Sequence, residues 1–217
     1  MINDNSPSLE VKIYRDLEEA IITGKYEPGT PLTEIRLSHE FNVSRTPVRE
    51  ALHRLEKDGL IELIPNKGAV VRGISRSDLI DIYSIRKRLE GFAAATAAKN
   101  ITDDDIARLE DIVDMAEFYS GRNNMDKLKD LDTDFHEYIY QTSGSRILKN
   151  VLVDLHRSIG AYRKLSMSTP NRLTETTKEH KAIFEAIKAH DSELADKLAA
   201  AHVDAALNNL LKYTSQE

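Results

Sequence analysis

The sequence predicts a mainly α-helical protein in which a β-hairpin interrupts the helices once. Apolar residues recur with helical spacing along most of the 217 residues, and only the stretch LIELIPNKGAVVRGI, residues 60–74, alternates apolar and polar side chains around a Pro-Asn-Lys-Gly turn. This length allows two modest domains. We therefore predict a winged helix-turn-helix domain in residues 1–74 and an all-α bundle of about six helices in residues 75–217.

Three helices precede the predicted hairpin. The first begins at Leu9 and ends near Ile22, where GKYEPG stops it. The second follows Thr33, whose hydroxyl can accept from first-turn amides, and ends near residue 42. The third begins at Ser44, tolerates Pro47 in its first turn and ends before the glycine at 59. Three helices and a hairpin follow the winged helix-turn-helix plan, with another small α+β unit as the alternative.

The second domain shows helical periodicity without strand signals. Thr102 precedes three aspartates, which places a capping hydroxyl and negative charge at a helix N-terminus. The predicted helices are Ser75–Lys99, Thr102–Ser120, Met125–Thr142, Ser145–Leu165, Asn171–Ala189 and Asp191–Tyr213.

Composition excludes several classes of protein. No apolar run approaches the roughly 20 residues that a membrane helix needs, and the polar N-terminus lacks the features of a secretory signal. We therefore expect a cytoplasmic protein without a membrane partner. There are no cysteines, which excludes disulfides and thiolate metal sites. The net charge of −6 implies that any contact with nucleic acid depends on a local basic patch.

Two arginines share one face of the third helix. Arg45 and Arg49 are four residues apart, so both point the same way, while apolar residues occupy the opposite face. Each guanidinium can donate two hydrogen bonds to a guanine edge in the major groove of double-stranded DNA. Ser44 and Thr46 are placed to bind a phosphate at the helix N-terminus. Arg36, on the preceding helix, can reach the DNA backbone or a flanking base.

The hairpin offers a second contact with DNA. Lys67 lies at its tip beside Gly68, as expected for a wing that touches phosphate or the minor groove. The alternative is a solvated charged face on which the arginines pair with Glu50 or other acids. Residues 1–75 favour this alternative, because they hold fewer basic than acidic residues.

Four side chains of the bundle are candidate metal ligands. Asp132 and His136 are one helical turn apart and project from the same face. His180 and His202 lie on apolar faces of two later helices. Nitrogen and oxygen donors without thiolate suit zinc, nickel, manganese, iron or cobalt, and leave positions open for a carboxylate. The alternative is a set of core histidines with ordinary hydrogen-bond partners.

An open metal position also occurs in hydrolases. Glu179 precedes His180, but adjacent helical residues diverge by about 100°, so it should point away from a metal held by His180. The chain has no H-E-x-x-H, G-x-S-x-G or phosphate-loop motif. We therefore predict that the protein is not an enzyme. A metal-dependent hydrolase stays open as an alternative, as does a helical module that a metal merely stabilises, without ligand switching.

The N-terminal domain resembles a known family. GKYEPGTPLTEIRLSHEFNVSRTPVREALHRLEKDGLIELIPNKGAVV is similar to the DNA-binding domain of GntR-type bacterial transcription regulators. The resemblance implies operator contacts by the matching arginines, the hydroxyl residues beside them and the wing glycine. Those residues are Arg36, Ser44, Arg45, Thr46, Arg49 and Gly68.

The bundle resembles the FCD effector domain of the FadR branch of that family. The similar segments are DIYSIRKRLEGFAAATAA, DTDFHEYIYQTSGS and EHKAIFEAIKAHDSELADKLAAAHV. The resemblance implies that a divalent metal, with zinc and nickel favoured, binds to Asp132, His136, His180 and His202, and that a small carboxylate effector binds beside the metal.

The same resemblance places Arg86, in IRKRLE, in the effector pocket, with an ion pair to Glu90 as the alternative. It also implies a homodimer on an inverted-repeat operator and repression that the effector relieves through the connection near Ile74. Arg163 and Tyr162 face either the same pocket or solvent. Four histidines are left unassigned: His39, His53, His156 and His190.

Overall fold

The computed structural model describes residues 8–65, 68–122, 124–167, 169 and 171–213. The chain divides into two compact units, with the boundary between Leu79 and Ile80. The elements of the described residues are α1 Leu9–Ile22, β1 Pro31–Leu32, α2 Glu34–Glu40, α3 Arg45–Lys57, β2 Ile61–Ile64, β3 Gly68–Val71, α4 Arg76–Asn100, α5 Asp103–Ser120, α6 Met125–Thr142, α7 Arg146–Ser158, α8 Gly160–Met167, α9 Arg172–Lys188 and α10 Ser192–Tyr213. None of the described helices has both the length and the apolar character of a membrane span.

The first unit contains the predicted three helices and hairpin, together with one strand that the sequence did not predict. Strand β3 pairs with β2 along one edge and with β1 along the other, so the sheet order is β1-β3-β2. Leu32 lies opposite Ala69, and both side chains are buried. A strand of two residues is too short to show alternation, which is why the pattern did not reveal it.

The apolar face of α3 forms the centre of the first unit. Val48, Leu52 and Leu55 are buried on this face, and Leu17 of α1 is buried as well. Arg45 and Arg49 lie one turn apart beside this buried stripe, and both are exposed. The packing of α3 therefore decides which of its side chains meet solvent.

Gly68 begins β3 in a backbone conformation that few other residues adopt. Its φ is +91°, and an added Cβ would lie 3.0 Å from the Leu32 carbonyl oxygen. Gly68→Ala should therefore lower the free energy of unfolding of the first unit by about 1–3 kcal/mol, measured by chemical denaturation. Gly59→Ala is the matched control, because φ is +76° there and no described atom beyond its chain neighbours lies within 4 Å of the added Cβ. Equal losses in the two variants would contradict a steric role for Gly68.

The second unit is the helical bundle, with seven described helices instead of the predicted six. The predicted helix from residue 145 to 165 is two helices, because α7 ends at Ser158 and α8 begins at Gly160. The predicted cap of α5 is confirmed, since Thr102 and Asp105 form a reciprocal capping box. The core of this unit includes Phe135 and Ile187, and the polar cluster described below lies beside Phe135.

Candidate functional site

The N-terminus of α3 presents an exposed polar surface. Arg45, Thr46 and Arg49 are all exposed, and Arg45 makes no hydrogen bond among the described residues. Ser44 is the N-cap of α3, but its hydroxyl makes no capping hydrogen bond and is free for another partner. The Arg45 guanidinium and the Ser44 hydroxyl are therefore directed to solvent in the isolated chain.

Arg49 is paired with an acid, as the alternative interpretation allowed, although the acid is Glu34 and not Glu50. Its Nε donates to Glu34 Oε1 at 2.7 Å and its Nη2 to Glu34 Oε2 at 2.8 Å. Since the arginine side chain is more than half exposed, the pair contributes little to stability. The pair orients Arg49, and Arg49 must leave Glu34 before it can bind two acceptors on a base.

The other predicted DNA contacts surround this surface. Arg36 of α2 is exposed, with its guanidinium carbon 5.5 Å from the centre of the Tyr26 ring. Gly68 lines the same groove as Arg45 and Arg49. Lys67 lies outside the described residues. Of the predicted residues that the structure describes, Arg45, Arg49 and Gly68 border one groove, while Arg36, Ser44 and Thr46 are exposed.

The four predicted metal ligands meet inside the second unit. Asp132, His136, His180 and His202 are each at most 7% exposed. Each of the three histidines offers a ring nitrogen, and the three nitrogens lie within 4.8 Å of one another, compared with about 3.4 Å between two nitrogens that bind one tetrahedral ion at about 2.1 Å. Asp132 Oδ1 lies 3.6 Å from His180 Nε2 and 3.9 Å from His136 Nε2.

Two carboxylates bind the Nδ1 atoms of two of these histidines. His136 Nδ1 lies 3.1 Å from Glu90 Oε2, and His202 Nδ1 donates to Glu179 Oε2 at 2.7 Å. A carboxylate on one ring nitrogen fixes the tautomer and leaves the other nitrogen as an acceptor, which is the arrangement that metal-binding histidines use. Glu179 therefore acts on His202, from a position outside the cluster of ring nitrogens.

The ring of His180 gives the strongest support for a metal site. Its Nε2 is buried and has no hydrogen-bond partner, while its ring stacks on Phe135 at 4.1 Å between centroids. An unpaired polar atom in the interior costs about 1–3 kcal/mol, so a missing partner is expected there. The donor set of three imidazoles and one carboxylate fits a divalent transition metal.

Arginines join this cluster to a small cavity. Arg163 of α8 forms an ion pair with Asp132, and Arg86 of α4 donates to Glu90 Oε1 at 2.7 Å. Arg86 is therefore paired as the alternative interpretation allowed, and it also lines the cavity. The cavity has about 20 Å³ of space for a water-sized molecule, opens partly to solvent and is bordered by Arg86, Arg163, Asp132, His136 and His202, among others.

Burial and neighbouring charges set the protonation of the cluster. Burial lowers the pKa of His136 and holds the pKa of His180 well below its ordinary value. Both rings are therefore neutral near pH 7, as metal ligands must be. Burial alone would raise the pKa of Asp132, but the neighbouring positive charge, that of Arg163 first, outweighs it and lowers that pKa. The carboxylate is consequently ionised.

Sequence reasoning gave His156 and Glu179 no place in this cluster, and it offered Glu90 as the partner of Arg86 and Arg163 as a pocket residue only as alternatives. His156 was left without a partner, yet its Nε2 lies 3.1 Å from Arg86 Nη2 and its Nδ1 lies 3.1 Å from Arg163 Nη1. One signal was available, because Arg86 and Glu90 are four residues apart on a helix with apolar neighbours. Nothing in the spacing indicates that α7 and α8 bring His156 and Arg163 to the same place.

Family models match both units of the chain. Residues 9–71 match the model described as bacterial regulatory proteins, gntR family, and residues 81–205 match the FCD domain. The chain belongs to the GntR family of regulators, in its FCD-containing group. This confirms the family that the sequence resembled, and also the fold class of a winged helix-turn-helix followed by a helical bundle.

Similar proteins support the same conclusion. The HTH-type transcriptional regulator YdhC of Bacillus subtilis is 30% identical over 194 residues, which cover 88% of this chain and 86% of YdhC. The HTH-type transcriptional repressor RspR of Escherichia coli is 29% identical over 202 residues, or 93% and 88% of the two chains. The solved structure of E. coli McbR/YncC matches with a TM-score of 0.64 and 26% identity, covering 96% and 99%. This GntR-family protein is a DNA-binding transcription regulator and not an enzyme.

Proposed function

We propose that this regulator is a repressor whose affinity for its operator is controlled by a small carboxylate bound beside a divalent metal in the helical unit. The observation that carries the proposal is the buried, unpartnered Nε2 of His180 amid two histidines whose outer nitrogens are held by carboxylates. A bound cation would satisfy the ring nitrogens that lie close together in this cluster.

The exposed surface of the first unit supports operator binding. Arg45 and Arg49 would contact guanine edges in the major groove, with Arg36 on the backbone or a flanking base. Ser44 and Thr46 would bind a phosphate at the N-terminus of α3. The wing, Lys67 and Gly68, would contact phosphate or the minor groove. Two copies of the chain would bind as a homodimer to an inverted repeat, because a two-fold protein matches a two-fold site.

Asp132, His136, His180 and His202 would hold the metal. Zinc or nickel suits this donor set best, and manganese, iron or cobalt is compatible with it. A bound divalent ion supplies positive charge and an open position that attracts a carboxylate. Arg86 supports the effector part of the proposal, because it lines the cavity and its Nη1 has no hydrogen-bond partner.

Native mass spectrometry with elemental analysis, on protein purified from its own host, tests the proposal. We expect one divalent ion per chain and an additional small acid of discrete mass. Folded protein that is free of metal would contradict the metal site. If chelation lowers the melting temperature but no acid changes operator affinity, the metal only stabilises the bundle and the switching function is wrong.

Glu179→Gln should weaken metal binding about 10–100-fold, because the carboxylate that fixes His202 is lost. Competition with a coloured chelator measures the dissociation constant of the metal. Glu175→Gln is the matched control, since it makes the same substitution at an exposed position one turn earlier on α9, where Glu175 contacts only Lys178 among the described residues. A metal affinity that is equal in both variants would contradict the role of Glu179.

A further inference from the structure

Ile35, in the first turn of α2, exposes a large apolar side chain to solvent. It is 53% exposed, whereas Leu37, two residues later, is fully buried. Positions two apart on a helix point about 200° apart, so Ile35 is directed away from the core of the first unit. A single exposed isoleucine is common on protein surfaces. The position of this one distinguishes it, because it lies on the surface that carries Arg45 and Arg49.

Ile35 and the two arginines of α3 line one groove. Its walls come from the start of α2, the exposed side of α3 and the hairpin of β2 and β3. Glu34, the neighbour of Ile35 in the chain, accepts two hydrogen bonds from Arg49. These bonds tie the start of α2 to the exposed side of α3. Ile35 therefore borders the space that a base edge would enter on its way to Arg45 and Arg49.

Arg36, the next residue of α2, points in another direction. Its guanidinium carbon lies 5.5 Å from the centre of the Tyr26 ring, and neither residue is among the described residues that line the groove. Adjacent helical residues diverge by about 100°, which is why Ile35 and Arg36 cannot share this position. Among the described residues, α2 therefore contributes to the groove an apolar side chain and a carboxylate, and no cation.

We propose that Ile35 reads a thymine in each operator half-site through the 5-methyl group of that base. Thymine is the base whose major-groove edge carries a methyl group, while the other edges offer hydrogen-bond donors and acceptors. An isoleucine placed against those polar edges would leave them without partners, which is unfavourable. The inference rests on the proposed function in one respect, because it requires α3 to enter the major groove. It is independent of the metal and of the effector.

Replacement of thymine by deoxyuridine tests this assignment, because the two bases differ only by the methyl group. The full chain is titrated, at one salt concentration, with operator duplexes that carry deoxyuridine at one symmetry-related pair of thymine positions at a time. At one pair, wild-type protein should bind about tenfold more weakly, since burial of one methyl group contributes about fourfold in each half-site. At that pair, Ile35→Ala protein should bind the thymine and deoxyuridine duplexes with equal affinity.

Leu9→Ala is the matched control, because Leu9 is 59% exposed on α1 of the same unit and is not among the residues that line the groove. It should keep the wild-type preference for thymine.

Three results would overturn the role of Ile35. Wild-type protein could bind every deoxyuridine duplex as tightly as the thymine duplex, or Ile35→Ala could keep the wild-type preference at every position. Ile35→Ala could also weaken binding to all duplexes equally, which would place Ile35 on the DNA backbone. Arg45→Ala separates this failure from a failure of the proposed function. If Arg45→Ala still relaxes base preference, only the role of Ile35 is wrong, whereas unchanged preference in both variants would remove α3 from the major groove.

Discussion

Replacing both His180 and His202 with alanine should leave the protein without a stoichiometric divalent metal. The two rings provide two of the four donors, and the remaining pair, Asp132 and His136, comes from one turn of α6. Two ligands on one helix cannot close the four-coordinate shell that zinc prefers. After equilibration with zinc and removal of free ion by dialysis, elemental analysis should find about one zinc per wild-type chain and almost none in the variant.

The control for this experiment is a double variant of two exposed histidines in the first unit, His39→Ala with His53→Ala. It removes the same number of imidazoles without touching the buried cluster and should keep full zinc occupancy. Circular dichroism establishes that the bundle variant is still helical. Full zinc occupancy in a helical His180→Ala, His202→Ala protein would remove the metal site from this account.

Arg45→Ala should reduce operator affinity by about 1–3 kcal/mol, the cost of losing a bidentate contact with guanine. Arg45 is exposed and makes no hydrogen bond among the described residues, so no internal partner has to be replaced. Base preference should relax at one position in each half-site. Measurement of binding to a set of single-base operator variants, at one fixed salt concentration, gives both quantities.

Two comparisons separate base reading from simple charge. Arg157→Ala removes the same charge from an exposed site in the second unit and should leave the base preference unchanged. Arg49→Ala should cost less than Arg45→Ala, because Arg49 must first break its two hydrogen bonds with Glu34. If Arg45→Ala weakens all duplexes equally, Arg45 binds phosphate and does not read a base.

The sequence was sufficient to predict the fold class because its local signals agree. The apolar spacing of α1 predicts a helix, and the hydroxyls of Thr33 and Thr102 each predict a helix start, that the structure confirms. Strand β1 was not predicted because it is defined by its pairing with β3, while its two residues have no strand pattern of their own. The break between α7 and α8 also escaped it, since apolar periodicity continues through Ile159.

The candidate site was only partly predictable. Asp132, His136, His180 and His202 do meet in the structure, while their role as ligands stays a prediction. Helical spacing identifies the face on which a residue lies, but it contains no information about which faces of separate helices converge. For that reason the contacts of His156 with two arginines required the structure.

Operator affinity of the metal-loaded protein, measured with and without the small acid that native mass spectrometry finds on the protein, tests the central claim most directly. The duplex is selected from a random-sequence library by the protein itself, and salt is held constant. Because coupling between two sites typically changes affinity by about 5–150-fold, we expect the saturating acid to raise the operator dissociation constant by at least about fivefold. An operator affinity that does not change, while calorimetry shows the site to be full, would contradict the account.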